Sequence, residues 1–225
     1  METLIYYGLA IFALVITLGA QAFISITYKK YGDEENTRHI SGKEAARQIL
    51  DRNGLENVKV EEVSGYLSDH YDPKKKVVRL SSSNYSGTSV SAVSVACHEC
   101  GHAIQDKVGY TFMRIRAFLV PFVNISSFMG YVAIVIGFIF SLMGLVLVGI
   151  GLELVILLFQ LVTLPVEIDA SKRALKQLNE TMLLDSEELG HGRTVLIAAA
   201  STYVASVAAT LLEILRLILI FKDND

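Results

Sequence analysis

The chain has no tryptophan and only two cysteines in 225 residues. The cysteines, Cys97 and Cys100, sit three apart in one short stretch. A four-cysteine zinc site needs a second pair, and there is none. Two neighbouring thiols also cannot staple a small secreted fold. The pair therefore reads as small packing residues rather than as a redox or metal motif. An excess of positive charge is missing too. With 20 Lys and Arg against 23 Asp and Glu, the net charge is −3, so no basic footprint suggests nucleic acid as a partner. No internal repeat or low-complexity linker divides the chain. Over its longest stretches the chain lacks charge of either sign. It is 52% hydrophobic with a mean hydropathy of +0.45, which is apolar for a soluble globular protein and points to a membrane protein.

Residues 4–27 form 24 positions without a charge, enough to span a bilayer. Ala20-Gln21-Ala22 resembles a signal-peptidase site, but the leading residues carry Glu2 instead of a basic residue and the run is too long for a signal core. Lys29 and Lys30 follow at once, as a cytoplasmic flank would. The run reads as an uncleaved anchor with its N-terminus outside. Residues 118–164 are a 47-residue stretch whose only charge is Glu153. One helix of that length would extend about 70 Å, roughly twice a hydrocarbon core, so a hairpin of two helices is expected. Its break is placed near residues 141–144, with Gly149 and Gly151 as alternative weak points. Glu153 is costly in lipid and should face the bundle. Residues 195–221 are a fourth apolar run rich in Ala, Ser and Thr. It reads as a transmembrane helix or a buried helix, with Glu213 and Arg216 spaced to pair.

The polar chemistry lies between these runs. Ser41-Gly42-Lys43-Glu44 has the capping-box pattern, followed by Ala45, Ala46, Ile49 and Leu50 at helical spacing and a stop at Asn53-Gly54. Residues 57–63 are strand-like. Asp72-Pro73-Lys74-Lys75 reads as a hairpin turn between two more strands. Of these, residues 77–81 are the candidate to bind an extended peptide by backbone pairing. Gly87-Thr88-Ser89 then caps a helix running to about Lys107. That helix carries His98-Glu99-Cys100-Gly101-His102, which reads H-E-x-x-H. Two histidines four apart share one helix face and can hold one metal ion, typically zinc. Glu99 is left beside the open coordination position, where a general base belongs, and Gly101 keeps that side of the helix small. His39 and His70 read as surface residues.

Pro165-Val166-Glu167-Ile168-Asp169 follows the membrane hairpin directly and reads as a helix start. Two crossings return the chain to the side of His98 and His102, so Glu167 is the candidate third zinc ligand. The alternative is an acidic residue favoured by the helix dipole. Of the 20 Lys and Arg, 18 fall within residues 29–116 and 172–193, so the site should face the cytoplasm. The expected fold is an α-helical membrane protein with about four transmembrane helices and a small α+β zincin-like catalytic portion. Its parts are an N-terminal transmembrane anchor (4–27), an α+β segment with the motif helix (28–117), a transmembrane hairpin (118–164), a helix with the third ligand (165–194) and a C-terminal transmembrane or buried helix (195–221).

With His98-Glu99-Cys100-Gly101-His102 followed by Pro165-Val166-Glu167-Ile168-Asp169-Ala170-Ser171-Lys172-Arg173-Ala174, the chain resembles the YugP-like neutral zinc metallopeptidases, which are bacterial membrane proteins. It is similar in logic to the HtpX and CAAX prenyl membrane proteases. The resemblance extends over essentially the whole length. It implies one zinc ion per chain held by His98, His102 and Glu167, with Glu99 as catalytic base, and peptide-bond hydrolysis at a bacterial inner membrane. Because Glu167 abuts a membrane exit, the expected substrates are membrane-associated or unfolded proteins near the bilayer. It departs at Ser171, where HtpX-type proteins have an aspartate four residues after the ligand glutamate, and Asp169 is the other candidate for that supporting role. Tyr203, Arg173, His191 and Tyr110 are all candidate oxyanion donors. The rival readings are a metal-ion transporter and a non-catalytic zinc-binding membrane scaffold. The sequence leaves oligomeric state open.

Overall fold

The computed structural model describes residues 2–223. In chain order the elements are α1 (Glu2–Gly32), α2 (Gly42–Arg52), β1 (Lys59–Val63), β2 (His70–Asp72), β3 (Val77–Ser81), α3 (Ser82–Tyr85), α4 (Val90–Lys107), α5 (Thr111–Ile139), α6 (Met143–Thr181) and α7 (Ser186–Asp223). The protein is an α-helical membrane protein with a small α+β portion. Four helices, α1, α5, α6 and α7, are long and apolar enough to cross a membrane. The chain divides into two units, one of residues 1–21, 114–164 and 202–225, the other of residues 22–113 and 165–201.

The first unit is apolar. Its core gathers Val146, Ile150, Leu157, Ile214 and Leu217 from α6 and α7. The hairpin break falls between Ile139 and Met143, overlapping the expected residues 141–144. Its chemistry is a Schellman cap. Ser141 has φ +55, the Leu142 N–H donates to the Gly137 carbonyl at 2.8 Å, and the Ser141 N–H donates to the Phe138 carbonyl at 3.4 Å. Together these satisfy the last carbonyls of α5. Gly137 lies against Val146, and Gly149 against Ile134, so small residues let α5 and α6 close. The Glu213–Arg216 pair forms, with Arg216 Nε donating to Glu213 Oε2 at 2.8 Å. Glu153 is half-buried.

The second unit holds the polar chemistry. The capping box at α2 is complete, with the Ser41 side chain accepting from the Glu44 N–H and the Glu44 side chain returning to Ser41. Gly54 ends the turn after α2 with φ +63, a conformation that needs no Cβ. Asp72 Oδ1 accepts from the N–H groups of Lys74 and Lys75, at 3.0 Å each, and this Asx turn joins β2 to β3. The three strands order as β1-β3-β2, with β1 parallel and β2 antiparallel to β3. Residues 77–81 are therefore the central strand. One edge of β3 is paired with β1 along its whole length, the other with β2 over residues 77–79, beyond which the Ser81 N–H donates to Asp69 Oδ1 at 2.8 Å; this overturns the expectation that β3 binds a peptide. Among the described residues the outer strands of the sheet are β1 and β2. Residues 77–81 stood out in the sequence as a strand next to the motif helix, but Val77, Val78, Leu80 and Ser81 are buried, as befits a central strand.

A core of Ala45, Ala46, Ile49 and Leu50 from α2, Val78 and Leu80 from β3, and Val93, Ala96, Cys97 and Cys100 from α4 holds this unit together. The sequence pointed to a helix start at Pro165, whereas α6 runs unbroken through it for 39 residues. The proline ring forgoes one backbone bond, to the carbonyl four residues earlier. A break there would free several more backbone groups next to apolar surroundings, which explains why such prolines are tolerated inside membrane helices. Glu167 thus lies deep within a helix, and the helix-dipole account of it falls.

Candidate metal centre

Helix α4 begins at Ser89, whose side chain accepts from the Ala92 N–H at 3.0 Å, the cap the sequence led us to expect. From Val90 to Ile104 almost every residue is buried, because α4 lies inside the unit and packs on more than one side. Cys97 and Cys100 are among the most enclosed, at 1% and 0% exposure. Both are free thiols, and Cys100 Sγ donates to the Ala46 carbonyl at 3.6 Å. Burial pushes both thiols well above their ordinary range, with Glu99 adding to the effect on Cys100. They are protonated packing groups, as their isolation in the sequence suggested.

His98 and His102 meet Glu167 at the face where α4 passes α6. The His98 Nε2–Glu167 Oε2 distance is 3.2 Å and the His102 Nε2–Glu167 Oε2 distance is 3.5 Å. One donor atom from each of the three residues falls within 4.8 Å of the others. Ligand atoms about 2.05 Å from a tetrahedral zinc ion stand roughly 3.3 Å apart, so the two separations from Glu167 suit one ion. Two imidazoles and a carboxylate are also the donor set of catalytic zinc sites that keep a position open. Among the described residues no further His, Cys, Asp or Glu joins the group.

The approach of the two helices depends on Gly101. A Cβ at that position would lie 2.5 Å from the Ala170 carbonyl oxygen and 3.1 Å from its Cα. Only glycine lets the α6 backbone come this close, and Glu167 is one turn before the contact. The small residue inferred from the motif is thus a close-approach site for the helix that bears the third donor.

Glu99 is 7% exposed, and among the described residues no hydrogen bond or ion pair engages its carboxylate. Glu167, by contrast, is drawn to both histidines. Burial disfavours a charged His102, but the hydrogen bond to Glu167 and the nearby charges of Glu99 and Glu167 outweigh it and raise its pKa.

Two supporting residues complete the histidines. The Ser171 hydroxyl lies 3.2 Å from His98 Nδ1. The residue that departs from the HtpX pattern therefore occupies the supporting place with a neutral group. Asp169 does not reach His98. It accepts instead from Gln105 Nε2 at 2.9 Å and from Arg173 Nε at 2.6 Å. Gln105, which the sequence reading passed over, contacts His102 Nδ1 through Oε1 at 3.0 Å. Its signal was present as a fully buried amide one turn after His102, but a single polar residue on a helix gives no pattern to read.

The other sequence candidates are placed as follows. His39 pairs with Glu35 at 3.3 Å on the surface, and exposed His70 contacts the Ser68 carbonyl; neither joins the metal group. His191 is engaged by Glu34 at 2.8 Å and stacks on Tyr31. Arg173 is held by Asp169. Burial and the charge of Asp169 raise the Tyr110 pKa, so its hydroxyl stays a donor at neutral pH. Tyr203 belongs to the first unit.

The chain is similar to known proteins over nearly its whole length. The family described as "Putative neutral zinc metallopeptidase" matches residues 6–222. The "Putative membrane protease YugP" of Bacillus subtilis (strain 168) is 42% identical over 223 residues, covering 98% of each chain. No solved structure matches. A histidine pair and a glutamate spaced for one metal ion, on helices of a membrane protein, are what such a family would require, and by the extent of both matches the chain belongs to this neutral zinc metallopeptidase family.

Proposed function

We propose that the protein is a membrane-bound zinc metalloendopeptidase in which His98, His102 and Glu167 hold one zinc ion and Glu99 is the general base. The observation that carries this reading is the three-donor group, with Glu167 3.2 and 3.5 Å from the two histidines, together with the buried Glu99 carboxylate that has no hydrogen-bond or ion-pair partner among the described residues. A bound zinc ion would act as a Lewis acid that acidifies water and polarises a substrate carbonyl. The rest of the work falls to the chain. Glu99 accepts the proton of the attacking water and returns it to the departing amine. Its lack of a competing partner leaves it available for both transfers. Glu167 fixes the charge of the donor set, and the two imidazoles stay neutral to ligate.

Substrates are membrane-anchored or unfolded proteins, and the site faces the cytoplasm of a bacterial inner membrane. The bias of 18 of 20 Lys and Arg toward the segments that carry the site supports that side. A structural zinc site would be closed by a fourth protein ligand and has no use for a base, so the three-donor set and Glu99 favour an enzyme over a scaffold. A conduction path is disfavoured because α4, which carries both histidines, is not among the helices long and apolar enough to cross a membrane.

The test compares wild type with Glu99→Gln in detergent, at equal zinc content, on an unfolded casein-like substrate. Cleavage by wild type and none by the zinc-loaded variant is the expected result. Equal cleavage by both would remove Glu99 from its role. Four protein ligands seen by metal spectroscopy, with no cleavage, would overturn the enzyme reading.

A further inference from the structure

Gln105 is fully buried and uses its whole amide. Nε2 donates to the Val166 carbonyl at 2.8 Å and to Asp169 Oδ2 at 2.9 Å, while Oε1 lies 3.0 Å from His102 Nδ1. An amide has two N–H donors and one carbonyl oxygen. Both donors are spent on a backbone carbonyl and a carboxylate, and that carboxylate is itself tied to Arg173 Nε. Flipping the amide would set its oxygen against these two acceptors, so the orientation is fixed by chemistry. The oxygen then faces His102, and because it can only accept, Nδ1 must carry the hydrogen. The neutral ring is left with its lone pair on Nε2, the nitrogen 3.5 Å from Glu167 Oε2.

The same amide holds α6 at Val166, the residue before Glu167. We propose that Gln105 is a positioning residue that sets the His102 tautomer and the register of Glu167 together, so that one side chain orients two of the three donors. The Ser171 hydroxyl beside His98 Nδ1 has no such power, because a hydroxyl either donates or accepts. The inference rests on the metal-site reading above. It assigns Arg173 and Asp169 to the support of Gln105, which takes Arg173 out of the set of oxyanion donors.

The test uses the full chain in detergent with Gln105→Met, which keeps the volume and removes the hydrogen bonds. Two quantities are read: the zinc dissociation constant by chelator competition, and, at alkaline pH where the ring is neutral, the tautomer of His102 in zinc-free protein from imidazole nitrogen-15 shifts. Loss of an outer-shell partner typically costs 10–100-fold in metal affinity, so the dissociation constant should rise by that factor. The His102 hydrogen should leave Nδ1 for Nε2 in a substantial fraction of molecules. A residue that merely packed would lower thermal stability and leave the tautomer unchanged. Asp169→Asn carries the same test if Gln105→Met does not fold, since an asparagine there can donate and so permits the amide to flip; both readouts should move the same way. Zinc affinity within two-fold of wild type with an unaltered tautomer would overturn the role of Gln105 alone. A wild type that takes up no zinc would overturn the metal site and the inference together.

Discussion

Gly101→Ala probes the geometry of the centre without touching a donor. The new Cβ would stand 2.5 Å from the Ala170 carbonyl oxygen, about 1 Å inside normal contact. The clashing atoms are backbone within a continuous helix, so no side chain can swing aside. Helices α4 and α6 must part by about 1 Å, and Glu167, one turn from the clash, moves with α6. The donor separations of 3.2 and 3.5 Å would then exceed roughly 4 Å, whereas metal–ligand distances tolerate about ±0.2 Å. Overpacking costs about 1–3 kcal/mol, and the better helix propensity of alanine returns up to about 1 kcal/mol. Thermal stability of the zinc-free protein should therefore fall only modestly, while zinc affinity by chelator competition falls more than about tenfold. Wild-type affinity with raised stability, the behaviour of an ordinary helical glycine, would refute the argument.

Three further outcomes follow from the same centre. Removing the hydroxyl with Ser171→Ala should weaken zinc binding less than Gln105→Met does, because Ser171 sets no tautomer; equal losses would contradict that ranking. Zinc affinity should fall with acidification. The His102 proton is held by Glu167, so it stabilises the zinc-free fold below the ordinary imidazole pKa and is lost as the pH rises through the raised value. Metal binding needs the neutral ring and so weakens as the pH falls through that same value, above the pH at which a free histidine would protonate; a zinc titration against pH reads the midpoint. Cys97 and Cys100 should resist thiol reagents in the native protein and both react after unfolding, which a colorimetric thiol count checks.

What the sequence disclosed was local. The Ser41–Glu44 box, the Asn53-Gly54 stop, the Ser89 cap and the turn at Asp72 each depend on residues within a few positions of one another, and each stands where it was expected. The histidine pair is legible for the same reason, since four residues make one helical turn. Glu167 needed chain order and a family likeness. Its place inside a helix was obscured by Pro165, which reads as a boundary unless the apolar setting is weighed. The central position of β3 and the reach of Gln105 to Val166 and Asp169 depend on which elements meet in space, and no spacing within one element carries that information.

The second unit is composed of residues 22–113 and 165–201, and the 51 residues between them belong to the first. Seen as a sequence of events at the ribosome, the two histidines emerge early and the carboxylate only after the whole membrane hairpin has been made. A nascent chain, or one cut short within the hairpin, carries His98, Glu99 and His102 but lacks Glu167, the third donor of the proposed site. Chain order thus keeps the proposed metal centre incomplete through synthesis and insertion.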